Sequence, residues 1–389
     1  VHGEKKMKKI LIVAMADSVH TARWLEQFEN SGYEFLLFPS SPHRRVHPKI
    51  SHFLSTGSQM NITIPFGLKH TGLFLAASDK LFSNRIRGLL LKRLVKRFNP
   101  NILHAVETQG AGYISSVALK GLKVRPTFVL TLWGSDLFWF RRFKRHEAQL
   151  RKLLPQVDLL SMECARDTAI AKELGFVGEI FPPFPVTGGY ELSTNSSSLL
   201  NTQPSSRKTI LIKGHTRFVG RGLIALEAIE KLSNSLEGYE IIVYSADPQA
   251  ARKVRKLQRK TKLNIRSFKR GELPHRELLS FFKSSRIYVG ISLSDGISVS
   301  LQEAMVNGVF PIQTDTSCID EWITDGKSGF IVKKTDLQQL DSLLKRALED
   351  DALVDSAADI NYSVASKRLD REVVLKLSVD FYEKALPKI

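Results

Sequence analysis

Two carboxylates eight residues apart frame a glycine and serine turn, Asp295-Gly296-Ile297-Ser298-Val299-Ser300-Leu301-Gln302-Glu303. Two kinds of chemistry fit this spacing. Ser300-Leu301-Gln302-Glu303 matches a capping box, in which a serine hydroxyl and a glutamate satisfy free N–H groups at a helix start. That reading makes Glu303 structural and leaves Asp295-Gly296 unexplained. In the second reading, the glycine lets the backbone approach a ligand closely. The helix start then offers N–H groups and positive potential to phosphate. Carboxylates on either side accept hydrogen bonds from hydroxyls. A phosphate on a helix end with hydroxyls on flanking acids describes a nucleotide-sugar.

The elements that must position these residues follow from the apolar pattern. Short β-branched runs alternate with amphipathic helical stretches. Strands are predicted over 9–14, 34–38, 101–106, 127–133 and 157–162. A polar, Ser/Asn-rich stretch over 187–208 then breaks the period and reads as a linker. A second series follows at 209–213, 239–245, 263–268, 286–292, 309–314 and 329–332. Strands apolar on both faces and separated by helices predict parallel sheets covered on both sides. The fold class is therefore α/β, with two doubly wound Rossmann-like domains facing a central cleft. The boundaries are 1–186, linker 187–208 and 209–365, with a C-terminal helix over 366–389 that packs back on the first domain. The Asp295 turn follows a strand directly, at the carboxyl end where such sheets bind ligands.

The 389-residue chain carries a formal net charge of +18. Up to Pro182 it holds 27 Lys/Arg against 14 Asp/Glu, a net +13, so most of the positive field belongs to the first half. A phosphate-rich or anionic partner meets that half first. The two cysteines, Cys164 and Cys318, lie far apart and suggest no disulfide framework, which points to a reducing cytoplasm. The apolar run at the start stops at Asp17 and reads as a first strand rather than a signal peptide. The six residues before Met7 are set aside. No apolar stretch reaches the length of about 18 residues that a membrane span needs. Gly326-Lys327-Ser328 ends like a P-loop, but Glu321 stands where its first glycine belongs. The spacings show no nucleophile elbow, no zinc cluster and no Asp-x-Asp metal pair.

The stretch Asp295-x7-Glu303, followed by "EAMVNGVFPI" and by "EWITDGKSGFIV" at 321–332, resembles the family 4 glycosyltransferases, retaining enzymes of the GT-B fold. The resemblance implies that Glu303 binds the ribose hydroxyls of the donor and that Asp295, where the family has Glu, faces the transferred sugar. It puts backbone N–H groups near Gly296, Ile297 and Ser298 against the sugar, and those near Ser300 and Leu301 against the diphosphate. The family's two diphosphate cations fall on His215 and Arg221 in "KGHTRFVGRG". Arg221 can bind phosphate bidentately, and Arg217 can replace the charge that His215 lacks. Such cations stabilise the charge that develops on the leaving diphosphate. Lys269 and Arg270 end a strand near the base. On the acceptor side stand Asp17, Ser18 and His20 after the first strand, Glu107 and Trp133. Trp133 occupies a place where many relatives carry a histidine. Asp136 orients the acceptor hydroxyl in this reading. The alternative for each of these N-terminal residues is a plain loop or helix cap.

The implied activity is a retaining, metal-independent hexosyl transfer from a nucleotide-sugar, UDP in preference to GDP, with no cofactor. The implied acceptor is a saccharide or a lipid-linked molecule in surface polysaccharide assembly. A soluble sugar-phosphate acceptor is the alternative within the fold. A polyanion-binding protein is the alternative outside it, but no nucleic-acid module interleaves the cations with stacking aromatics. "FWFRRFKRH" at 138–146 sets four aromatics beside four cations. "IRGLLLKRLVKRF" at 86–98 sets Leu90, Leu91, Leu94, Val95 and Phe98 on one stripe, with Arg87, Lys92, Arg93, Lys96 and Arg97 around it. The second reads as a core-facing helix or as an anionic-membrane surface. The expected location is cytoplasmic, with docking on the inner face of the membrane where these segments engage it.

Overall fold

The computed structural model describes residues 7–29, 31–41, 46–55, 61–63, 84–192 and 202–387, with 52–55 and 61–63 described by backbone alone. Two compact units divide the chain: residues up to Gly189 together with Arg371–Ile389, and Tyr190–Asp370. The polar stretch read as a linker lies partly outside the described residues. Its described end belongs to the second unit, where the Ser205 backbone N–H and hydroxyl both bond Asp355 at 2.9 and 2.7 Å. The two chain crossings are adjacent, since Tyr190 N–H bonds Leu369 C=O at 2.8 Å beside a Tyr190–Asp370 bridge.

Among the described residues the first unit holds seven parallel strands: β1 (Lys8–Ala14), β2 (Tyr33–Pro39), β3 (Asn61–Thr63), β4 (Ile102–Val106), β5 (Thr127–Leu132), β6 (Leu159–Met162) and β7 (Glu179–Ile180). Their order is β3-β2-β1-β4-β5-β6-β7. In β1, Leu11 and Val13 enter one core while Ile10, Ile12 and Ala14 enter another, so both sheet faces are buried. That is why the strands read as continuous apolar runs.

The C-terminal helix Arg371–Ala385 closes the second of these faces with Phe381, Tyr382 and Ala385. Trp24 Nε1–H donates to the Tyr382 hydroxyl at 2.8 Å. His104, wholly buried in β4, lies 2.9 Å from that hydroxyl and 2.7 Å from Thr131 Oγ1. Burial pushes the His104 pKa down to about 3, so the ring is neutral.

Among the described residues the second unit holds six parallel strands: β8 (Thr209–Lys213), β9 (Glu240–Ala246), β10 (Asn264–Lys269), β11 (Ser285–Gly290), β12 (Phe310–Thr314) and β13 (Phe330–Val332). Their order is β10-β9-β8-β11-β12-β13. In both sheets the winding reverses beside the first strand, at β1/β4 and β8/β11. A reversal opens a crevice at the carboxyl edge.

Three sequence readings need correction. The helix Arg85–Phe98 does not carry Arg87 on a solvated basic face. Arg87 is buried and donates to the C=O groups of Pro39, the last residue of β2, and of Ser40 just after it, the latter at 2.8 Å. The helix faces the core through Leu91 and Val95, with Leu90, Leu94 and Phe98 packed beside them. Cys164 and Cys318 are buried and neither is a free thiol, against the expectation of no disulfide. The capping box is the third and is described with the site.

Candidate active site

The site of the second unit is assembled from loops at the carboxyl edge. The loop after β8 is stitched to the loop after β11: Arg221 N–H bonds Ile291 C=O at 2.9 Å and Leu293 N–H bonds Val219 C=O at 2.7 Å. Gly220 and Ser292 form an antiparallel bridge between them. Gly220 admits no side chain, because a Cβ there would lie 2.3 Å from His215 C=O and 2.5 Å from its Nδ1. The sequence requirement for glycine is therefore the close approach of Gly220 to His215 within the basic loop itself.

Lys213 ends β8 and points its charge at the acidic loop. Its Nζ lies 3.3 Å from Asp295 Oδ2 and 3.5 Å from Ser298 Oγ. Burial lowers the Lys213 pKa, but the charge of Asp295, with Tyr288 and Glu303 behind it, outweighs this and raises it. Lys213 is thus firmly cationic. Asp295 is held from its other oxygen by the Gly296 N–H at 3.0 Å.

The helix Val299–Val306 starts after Ser298, which makes no side-chain cap. The Ser300 hydroxyl is taken instead by the Tyr244 hydroxyl at 2.5 Å. Glu303 is buried, and its Oε1 sits 2.8 Å from His275 Nε2, on the helix His275–Ser284. Neither member of the capping box caps, because the helix begins two residues earlier than that motif requires. Ile297 and Leu301 are core side chains, so only their backbone can face a ligand.

The cations expected for a diphosphate are distributed unevenly. His215 is half-buried, and burial followed by the Lys213 charge lowers its pKa. Arg221 turns its guanidinium onto its own loop, at 3.1 Å from Phe218 C=O and 2.6 Å from Gly220 C=O. Arg217 is exposed. Lys269 and Arg270 are exposed at the end of β10, and the Arg270 charge also depresses His215.

The first unit gathers its polar residues at the ends of β1, β4 and β5. Ser18 caps the helix Val19–Glu26, its hydroxyl accepting the His20 N–H at 3.1 Å. The His20 ring meets Trp133 edge-on at 5.5 Å. Asp17 accepts the Ser41 hydroxyl at 3.4 Å. Glu107 has φ +83°, a strained value for a non-glycine residue. Its carboxyl accepts N–H groups of Gly110 at 2.8 Å and Ala111 at 2.6 Å. Asp136 is buried and accepts the Trp133 N–H, with Thr108 Oγ1 at 3.4 Å. Burial pushes the Glu107 carboxyl up against these backbone bonds, and burial with the Glu107 charge pushes Asp136 well above the usual range.

Lys213 and His275 were missed by sequence reasoning. A lysine closing the otherwise apolar run "TILIK" was the available signal for the first. His275 had none, being 28 residues from its partner.

A family profile described as Glycosyl transferases group 1 matches residues 201–364, and one described as Glycosyl transferase 4-like matches residues 9–164. No curated protein matches the chain. Among solved structures, a glycosyltransferase from Rickettsia africae is 13% identical, with 98% of this chain and 99% of that chain covered at a TM-score of 0.68. Anabaena HepE, solved with UDP and glucose, is 13% identical over 97% of this chain and 99% of its own, at a TM-score of 0.67. The pneumococcal O-GlcNAc transferase GtfA, solved with UDP and GlcNAc, is 11% identical over 97% and 99%, at a TM-score of 0.69. Two family profiles in series, on two doubly wound sheets, identify the chain as a glycosyltransferase of the GT-B fold related to the family 4 enzymes.

Proposed function

We propose that this chain transfers a hexose from a UDP-sugar, with retention of configuration and without a metal, to a saccharide or lipid-linked acceptor in surface polysaccharide or glycoconjugate assembly. The observation that carries the reading is the start of the helix Val299–Val306, which has no side-chain cap and is flanked by Asp295, paired with Lys213, and by Glu303, set 2.8 Å from His275 Nε2. The N–H groups there take the diphosphate, Glu303 the ribose and Asp295 the sugar. Arg221 and Arg217 supply charge to the leaving group, Arg221 by swinging off its own carbonyls. Relatives solved with UDP support the choice of nucleotide. In the retaining step the acceptor oxygen bonds the anomeric carbon as the bond to the β-phosphate breaks, and the acceptor proton passes to a phosphate oxygen.

Calorimetry tests the donor site. The protein binds UDP more tightly than GDP. Glu303→Ala weakens UDP about a hundredfold while remaining folded, the loss expected for hydrogen bonds to a buried charged group. Unchanged UDP affinity in that variant overturns the assignment.

The acceptor class rests on a surface of the first unit. Arg142, Phe143, Lys144 and Arg145 are exposed, and the Arg142 guanidinium stacks 4.9 Å from Trp139. Arg141 is less available, being paired with Glu173 at 2.8 Å. Among the described residues no helix is long and apolar enough to cross a membrane. The proposal is charge-driven docking on a cytoplasmic leaflet, about 1 kcal/mol for each cation near anionic lipid. Anionic but not neutral liposomes pull the protein down, less so in salt. Replacing Arg142, Lys144 and Arg145 with Ser abolishes it. Equal sedimentation of that variant favours a soluble sugar-phosphate acceptor instead.

A further inference from the structure

We propose that Lys213 is a specificity-determining residue for the transferred sugar, reading a neutral hexose jointly with Asp295. The inference rests on the donor-site reading above and goes beyond it to the class of sugar. Lys213 is a charged residue closing a strand whose other four residues are buried. Its Nζ holds Asp295 Oδ2 at 3.3 Å and Ser298 Oγ at 3.5 Å. Asp295 Oδ1 is fixed by the Gly296 N–H. The Lys213 and Asp295 side chains are 33% and 34% exposed, so the pair is anchored from behind yet open on one side.

An ammonium has three donors and no acceptor, and an ionised carboxylate has acceptors only. Two Lys213 donors are spent on Asp295 and Ser298, which leaves one for a ligand oxygen. Asp295 Oδ2 retains lone pairs for a ligand hydroxyl. Set side by side, they match two neighbouring hydroxyls of one ring, one accepting and the other donating. The pair is neutral as a whole. A sugar bearing a carboxylate meets the Asp295 charge without a spare cation, so uronic-acid donors are disfavoured.

The test uses the full chain and calorimetry with UDP, UDP-glucose, UDP-galactose and UDP-glucuronate. The wild type binds one of the two neutral hexose donors best and UDP-glucuronate worst. Lys213→Met keeps UDP affinity within about twofold but weakens that hexose donor about tenfold, the loss expected for one hydrogen bond to a charged group. Asp295→Asn, which keeps the shape, gives a loss of similar size and serves if Lys213→Met does not fold. Three results overturn the proposal while leaving the donor site intact: equal weakening of UDP itself, unchanged hexose binding, or tightest wild-type binding of UDP-glucuronate. Failure of the wild type to bind UDP overturns the donor-site reading and the proposal with it.

Discussion

The two carboxyl edges use their acids in opposite ways. In the second unit Asp295 and Glu303 are each met by a nitrogen from a distant element, the Lys213 ammonium on β8 and His275 Nε2 on another helix. In the first unit Glu107 and Asp136 are spent mainly on nearby N–H groups, those of Gly110, Ala111 and Trp133. Pairing with a single donor from another element leaves carboxylate lone pairs for a ligand. In the first unit backbone donors fix the loops, and burial raises the carboxyl pKa in spite of those bonds. An acid at a strand end is therefore not by itself a binding group. Its partner decides what it can do.

The contrast predicts different failures for the same substitution. Glu107→Ala orphans two N–H groups in a turn with few alternatives, which costs about 2–4 kcal/mol of stability. UDP affinity stays within twofold. Glu107→Gln retains an acceptor and recovers most of the loss. Urea unfolding and calorimetry on the same samples check this. A Glu107→Ala protein of full stability that binds UDP poorly erases the distinction between the two edges.

The second prediction concerns pH. His104 holds its neutral form down to about pH 3, whereas an unfolded histidine protonates near 6.5. The unfolded chain therefore binds the extra proton between these values. Stability is full above the upper one and falls as pH drops through the window, by about 1.4 kcal/mol per pH unit. Glu107 and Asp136, with raised values, act in the opposite sense. His104→Gln removes only the histidine contribution, so the difference between variant and parent isolates it. The variant is less stable at pH 7, and the gap narrows by about 2 kcal/mol at pH 5. A constant gap in the urea midpoints means that His104 is not held neutral.

Much of the fold was legible because strands buried on both faces announce themselves as apolar runs. All eleven runs read from the sequence correspond to strands within a few residues. The two strands that were missed, Asn61–Thr63 and Glu179–Ile180, are short pieces at the sheet edges. Too few residues alternate there to leave a period. The site was legible where its logic is local, as at Asp295-Gly296. At Ser300 and Glu303 a local capping motif competed with the ligand reading, and the partners found there, Tyr244 and His275, come from other elements. It was silent at Lys213, whose partner is 82 residues away. Sequence spacing reports contacts made along one element, whereas this edge is built from contacts across several.

The smallest expected effect tests whether cross-element pairing matters at its most exposed point. His275 is half-exposed while Glu303 is almost wholly buried. Removing the ring admits water to Glu303 Oε1, so the carboxylate stays solvated and the fold is little changed. What is lost is the orientation that leaves Oε2 for the ribose. An exposed pair contributes little in itself, on the order of 1 kcal/mol or less, so His275→Ala weakens UDP by about two- to fivefold. His275→Gln returns a donor and restores binding to within twofold, which a merely steric role for the ring does not predict. Calorimetry with UDP on both variants reads the difference. If His275→Ala binds as the parent does, Glu303 is positioned by its own helix alone, and the contrast between the two edges narrows to the Lys213–Asp295 pair.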